Sequence, residues 1–195
     1  MEIIDITREF LSAPVYPGDP APEMEPISRI AHGDVCNLSQ LHASLHTGTH
    51  MDAPLHFLDG EADIAHADLS VCVGECSVIE LSGTLTGADL ETKLPFCQPR
   101  VLIKGDVSLT QSAAFVLAQA GVRLVGVEGQ SVAADQVAAV HRQMLADGIW
   151  LLEGLDLSKV SVGTYLLLAA PLKIAGADGA PVRALLCKRQ PSLNV

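Results

Sequence analysis

Aromatic residues are scarce in this chain: one Trp, two Tyr and four Phe make up 4% of its 195 residues. The core must therefore be assembled from Leu, Val, Ile and Ala, within a composition that is 49% hydrophobic and ordinary for a globular protein. Basic residues are also few, 12 Lys and Arg against 23 Asp and Glu, for a formal net charge of -11. Such a surface lacks the clustered cations that a phosphate backbone requires, so nucleic acid is not an expected partner, and it has no attraction to anionic membranes. The longest apolar run, Tyr165 to Leu172, falls well short of the roughly 20 residues that span a bilayer. The five cysteines, Cys36, Cys72, Cys76, Cys97 and Cys187, are odd in number and irregular in spacing. That excludes a disulfide framework and points to the reduced thiols of a cytoplasmic protein. The N-terminus has neither the basic region nor the apolar stretch of a secretory signal. Length fits one domain over residues 1–195, large enough to bury roughly 70% of its unfolded surface.

Strands are expected at Glu2 to Ile6, Leu38 to His46, Glu75 to Leu81, Arg100 to Lys104, Leu124 to Glu128, Ile149 to Leu152, Tyr165 to Ile174 and Val182 to Cys187. Helices are expected from Thr86, over Thr110 to Ala120 with Gly121 as the stop, and over Ala133 to Ala146. The prolines between Ser12 and Pro26 predict an extended, ordered loop that presents Tyr16. In Leu38 to His46, Leu41, Ala43 and Leu45 alternate with polar residues, a period of two that predicts one polar face and delivers His46 at the strand's end. The central strand–helix–strand order predicts parallel pairing, and an α/β fold of mixed β-sheets with helices packed on one side.

Chemistry concentrates in His46-Thr47-Gly48-Thr49-His50-Met51-Asp52-Ala53-Pro54-Leu55-His56. Three imidazoles and a carboxylate within eleven residues form a ligand set suited to zinc and its first-row neighbours. His46, His50 and Asp52 supply three ligands and leave a position open, as in catalytic zinc sites. His56 lies beyond Pro54, and two roles are open to it: proton transfer beside the metal, or a fourth ligand. His141 shares the inward stripe of its helix with Val137 and Met144, and Glu153 ends an apolar strand, where a carboxylate needs a partner, a proton or a cation. Alone, His141 reads as a core histidine satisfied by a backbone carbonyl; together, His141 and Glu153 offer the ligands of a second metal position, with Asp52 or Glu153 bridging. His42 is a weaker candidate beside the site, and His32 and His66 are expected at the surface.

With these residues assembled, the chain resembles the bacterial cyclase family of metal-dependent hydrolases, and within it the kynurenine formamidases (arylformamidases). The family motif His-x-Gly-Thr-His-x-Asp-x-Pro-x-His stands intact at His46 to His56. Similarity continues at Pro14 to Asp19, Glu153 to Leu157, Pro171 to Lys173 and Gly176 to Arg183. The resemblance implies a swivelling β/β/α fold and a binuclear site, with zinc or manganese as the cofactor. His46, His50 and Asp52 would hold the first metal; Asp52, His141 and Glu153 would hold the second, with Glu153 touching both. It implies His56 as proton donor and acceptor and Tyr16 as a substrate contact. It also implies a small-molecule substrate, N-formyl-L-kynurenine in tryptophan degradation, and a homodimer or higher homo-oligomer. Two departures bear on the substrate: Tyr16 stands where formamidases of this type usually carry Trp, and Gly126 to Ala133, with Glu128, lacks their usual Asp and Ser-x-Asp. Alternatives are hydrolysis of a cyclic amide such as isatin or of a lactone, and a non-catalytic metal-binding scaffold.

Overall fold

A computed structural model describes residues 2–188. Its strands are β1 (Glu2–Asp5), β2 (Glu23–Ser28), β3 (Leu38–His42), β4 (His50–Asp52), β5 (Val73–Glu80), β6 (Gly83–Leu85), β7 (Arg100–Lys104), β8 (Val107–Leu109), β9 (Leu124–Val127), β10 (Trp150–Glu153), β11 (Gly163–Leu168), β12 (Gly179–Pro181) and β13 (Leu185–Lys188). Its helices are α1 (Leu69–Cys72), α2 (Gly87–Glu91), α3 (Gln111–Gln119) and α4 (Val137–Ala146). Among the described residues, nine strands form one mixed sheet in the order β1-β13-β11-β5-β7-β9-β10-β4-β12. Strands β5, β7, β9 and β10 run parallel, as expected from the alternation of strands and helices in this part of the sequence.

The central strands are buried on both faces, and their alternating side chains feed two separate cores. Val101, Ile103, Val125, Val127 and Leu151 point into a core shared with Ala113, Leu117, Val140 and Met144 of α3 and α4. Leu102, Leu124, Trp150 and Leu152 point the other way, into a core built with Ile6, Met51, Cys76, Tyr165 and Leu186. The longer helices therefore cover one face. On the other face the sheet curls: Thr7 bridges to Leu155 beyond β10, and the Asp156 N–H donates to the Ile6 carbonyl at 2.9 Å.

Helix starts follow local chemistry. The Thr110 hydroxyl accepts the Ala113 N–H, and Thr86 with Asp89 forms a capping box. Helix α4 begins at Val137 and not at Ala133, because Gln136 takes a left-handed conformation (φ 50°) that ends the preceding turn.

The largest departure from the sequence expectation lies at Leu38 to His46. The strand stops at His42 and, among the described residues, pairs only with β2, forming a two-stranded arm. Leu38 and Leu41 are 53% and 54% exposed, so the alternation marks no buried face, and His46 arrives from a turn. The expected strand Tyr165 to Ile174 likewise ends at Leu168, before Pro171. No described helix is long and apolar enough to cross a membrane. All five cysteines are free, and burial pushes the thiols of Cys72 and Cys76 up to about 11 and about 12.

Candidate metal centre

Strand β4 is short, but its neighbours decide the site. It lies antiparallel between β10 and β12, with His50 opposite Glu153 and Asp52 opposite Leu151 and Gly179. This register sets the His50, Asp52 and Glu153 side chains beside one another, 2%, 1% and 3% exposed. The turn before β4 is locked to the end of β10. The Thr49 hydroxyl donates to the Gly154 carbonyl at 2.6 Å, and a side chain at Gly154 (φ 70°) would meet the Gly48 carbonyl at 2.2 Å. Gly154 is thus required both by its backbone angle and by the close approach of the turn that carries His46.

The donor atoms divide around the two oxygens of Asp52. Its Oδ1 lies 2.9 Å from His46 Nδ1 and 3.4 Å from His50 Nε2; its Oδ2 lies 3.8 Å from His141 Nε2. Glu153 divides similarly, with Oε2 3.4 Å from His50 Nε2 and Oε1 3.3 Å from His141 Nε2. The structure thus brings all five sequence-predicted ligands into one cluster. Among the described residues two compact triads of donors form, His50–Asp52–Glu153 within this cluster and His46–Asp52–His56, which adds His56 to it. The second includes the residue for which proton transfer and ligation were both open.

Two features fit a cation. Asp52 Oδ2 is buried without a hydrogen-bond partner, and such an orphaned oxygen costs about 1–3 kcal/mol or more unless something positive meets it. In addition, His50 Nδ1 faces the Gly48 carbonyl at 3.0 Å and His141 Nδ1 the Val137 carbonyl at 2.8 Å. An N–H donated on that side leaves each Nε2 free to ligate, the usual backing of a metal-binding histidine. Ligand atoms about 2.0–2.2 Å from one zinc lie roughly 3.3–3.6 Å apart at tetrahedral angles, close to the 3.3–3.4 Å spacings around His50 and Glu153.

The electrostatics match this arrangement. Burial pushes the His50 imidazole down, but hydrogen bonds to Asp52 and Glu153 outweigh it and raise it to about 10. Burial likewise opposes charge on His46 and His141, yet Asp52 and Glu153 respectively draw them above their ordinary value. Burial pushes the Asp52 carboxyl up, and His46 and His50 overcome this to hold it well below the carboxylate range. His56 goes the other way: burial lowers it, and the pull of Asp52 and Asp178 does not make up the difference.

The cluster floors a cavity of about 400 Å³ lined also by Tyr16, Asp19, Ser44, Phe57, Gln130, Ser131 and Asp178. Tyr16 is therefore at the cavity, as expected. Glu128 is not: its carboxylate accepts the N–H groups of Gly105 and Leu157 at 2.7 and 3.0 Å. It braces loops, and the polar lining from that segment is Gln130 and Ser131. His42 is exposed beside Glu25, away from the cluster, and His32 and His66 are exposed as expected. Sequence reasoning gave no role to Asp178, whose Oδ2 lies 3.0 Å from His46 Nε2 and 3.2 Å from His56 Nδ1. The signal available for it is its place within Gly176 to Arg183, one of the stretches similar to the family.

Comparison with known proteins agrees with this geometry. Residues 4–134 match the cyclase family, described as "Putative cyclase". A kynurenine formamidase of Polaromonas naphthalenivorans is 37% identical over 88% of this chain and 84% of its own length. One from Sphingopyxis alaskensis is 35% identical over 94% and 97%. Among solved structures, a potential metal-dependent hydrolase with cyclase activity superposes with a TM-score of 0.83 at 30% identity, covering 97% of this chain and 99% of that one. An isatin hydrolase bound to thioisatinate shares the fold, with a TM-score of 0.81 at 20% identity over 97% and 93%. The motif at His46 to His56, the shared fold and the family match together make this chain a member of the cyclase family of metal-dependent hydrolases.

Proposed function

We propose that this enzyme is a binuclear amidohydrolase that converts N-formyl-L-kynurenine to L-kynurenine and formate in tryptophan degradation. The observation that carries the reading is Asp52, buried and with one oxygen turned towards each half of a five-residue donor cluster on the floor of a cavity. The names of the two relatives support the substrate. His46, His50 and Asp52 would hold the first cation, and Asp52, His141 and Glu153 the second, with Glu153 available to both. Zinc is the expected ion, and manganese suits the same ligands. Cations held there supply Lewis-acid polarisation of the carbonyl and acidification of water.

The chain's own residues do the rest. His56 is half-buried at the cavity wall with its pKa lowered, so it is neutral at physiological pH and able to accept a proton. It then returns that proton to the leaving nitrogen, a transfer that typically contributes about 10²–10⁴-fold. Tyr16 and Phe57 line the cavity and are the aromatic side chains available to the aryl group.

A second reading has its own observation. None of the described residues lining the cavity is Lys or Arg, so the α-carboxylate of N-formylkynurenine has no basic side chain to pair with there, whereas a neutral cyclic amide such as isatin needs none. Purified enzyme, assayed for zinc and manganese and for rates on N-formylkynurenine, isatin and a lactone, separates the readings. Two equivalents of metal and the highest kcat/KM on N-formylkynurenine support the first. Preference for isatin replaces it with the second, and bound metal without turnover of any of these points to the scaffold.

The arm supports a reading of the assembly. Met24 and Leu41 pair across β2 and β3 and stand 53% and 54% exposed, with Ile27 and Leu38 nearby at 50% and 53%. A second copy of the chain is the proposed cover, giving a homodimer. Sedimentation as a monomer at micromolar concentration rejects it.

A further inference from the structure

Asp178 links two histidines that do different work. Its Oδ2 lies 3.0 Å from His46 Nε2 and 3.2 Å from His56 Nδ1, and those two rings stack with centroids 4.0 Å apart at 26°. His46 turns its other nitrogen, Nδ1, to Asp52 at 2.9 Å. A single carboxylate oxygen therefore reaches the outer nitrogen of a metal ligand and one nitrogen of the proposed acid/base.

We propose that Asp178 is a positioning residue that accepts the N–H of both imidazoles. A neutral imidazole carries one ring proton, and a carboxylate at one nitrogen fixes it there, leaving the lone pair on the other. For His46 the free lone pair is then on Nδ1, beside Asp52, where a cation is held. For His56 it is on Nε2, the nitrogen left to exchange a proton with substrate. The carboxylate thus sets both tautomers at once and keeps the rings parallel.

The backbone fixes Asp178 for this task. Its carbonyl accepts the Ala53 N–H at 2.9 Å, and the next residue, Gly179, pairs with Asp52 in the β4–β12 ladder. A side chain at Gly179 would stand 2.7 Å from His46 Cε1 and 3.0 Å from the Met51 carbonyl, so the close approach of β12 to the His46 ring needs glycine there. Asp178 is consequently held to the same strand that carries His50 and Asp52. Its side chain is 43% exposed, so its replacement leaves both cores intact.

The part of this proposal that concerns His56 rests on the hydrolase reading; the part that concerns His46 does not. The test is Asp178→Asn, alone and combined with His56→Ala, in the full-length zinc enzyme. Three quantities are measured: the zinc dissociation constant by chelator competition, the His56 tautomer by nitrogen NMR of the imidazoles, and kcat and KM on whichever substrate above is turned over. Asp178→Asn is expected to weaken zinc binding by about 10–100-fold, as loss of a carboxylate behind a ligating histidine does. It is also expected to release His56 from the Nδ1–H form and to lower kcat with KM unchanged. In the double variant kcat should equal that of His56→Ala alone, while zinc binding is still weakened. Zinc affinity within twofold of wild type, an unchanged His56 tautomer, or a multiplicative kcat loss in the double variant overturns the proposal. If no substrate is turned over, the formamidase reading fails, and zinc affinity and tautomer still decide the role of Asp178.

Discussion

The β2–β3 arm and the metal centre break the ordinary distribution of residues in opposite senses. The arm holds Met24, Leu38 and Leu41 half in water, although each is an apolar side chain worth about 1.5–3 kcal/mol when buried. The centre holds Asp52 and Glu153 almost wholly out of water, although an unpaired buried charge costs several kcal/mol. The difference teaches where each region finds its compensation. The centre has most of it inside the chain, in His46, His50 and His141, and needs only cations to complete it. The arm has almost none, since among the described residues β2 and β3 pair only with each other.

The hardest blow to this contrast is Asp52→Ala. It removes the one carboxylate shared by both donor triads, and it should strip the enzyme of metal and take turnover down to background, read by metal analysis beside the assay. A metal-replete, active variant would mean that the cluster does not depend on its shared carboxylate.

His56→Ala comes next. The expected loss is about 10²–10⁴-fold in kcat with metal content unchanged. Loss of metal instead makes His56 a ligand, in keeping with its place in a triad with His46 and Asp52.

Breaking the arm should do less, and to a different property. Met24→Ser with Leu41→Ser removes a cross-strand apolar pair and should raise the dimer dissociation constant about 10–100-fold, with metal content untouched. Sedimentation across a dilution series reads the first and metal analysis the second.

The smallest expected effect is a change with pH. In the metal-stripped protein the folded-state pKa of His50 is raised from 6.5 to about 10. Its stabilisation is fully present below pH 6.5 and is lost as pH rises through about 10. A cation must displace that proton, so metal affinity gains over the same window. The gap in Tm between zinc-loaded and metal-stripped protein should therefore widen from pH 6.5 to 10. A gap that narrows would show that His50 is not protonated in the stripped state.

Local reading went far in the centre and poorly in the arm, for one reason. At His46 to His56, ligand chemistry and backbone breakers are both local, so the motif, the turn at Gly48 and the family resemblance could be read from adjacent residues. At Leu38 to His46 the alternating pattern is equally local, but whether a face is buried depends on what packs against it, and among the described residues nothing covers Leu38 or Leu41. Asp178 was missed for a related reason. An exposed-looking Asp-Gly turn carries no sign that β12 will pair with β4 and bring the carboxylate to two imidazoles. Glu128 is the converse case, an acid near the expected pocket that turns out to hold the amides of two loops.

Neighbouring residues along the chain specify the kinds of atoms available: five metal-capable side chains with their spacing, helix caps at Thr86 and Thr110, and a parallel strand–helix core with few aromatic residues. Those are properties of neighbours along the chain. Only the tertiary structure decided which oxygen of Asp52 faces which histidine and that Glu153 stands opposite His50. It alone revealed Asp178 beneath both His46 and His56. Those are contacts across as many as 132 residues, set by the register of β4 between β10 and β12, and register is a property of paired strands that neither carries alone.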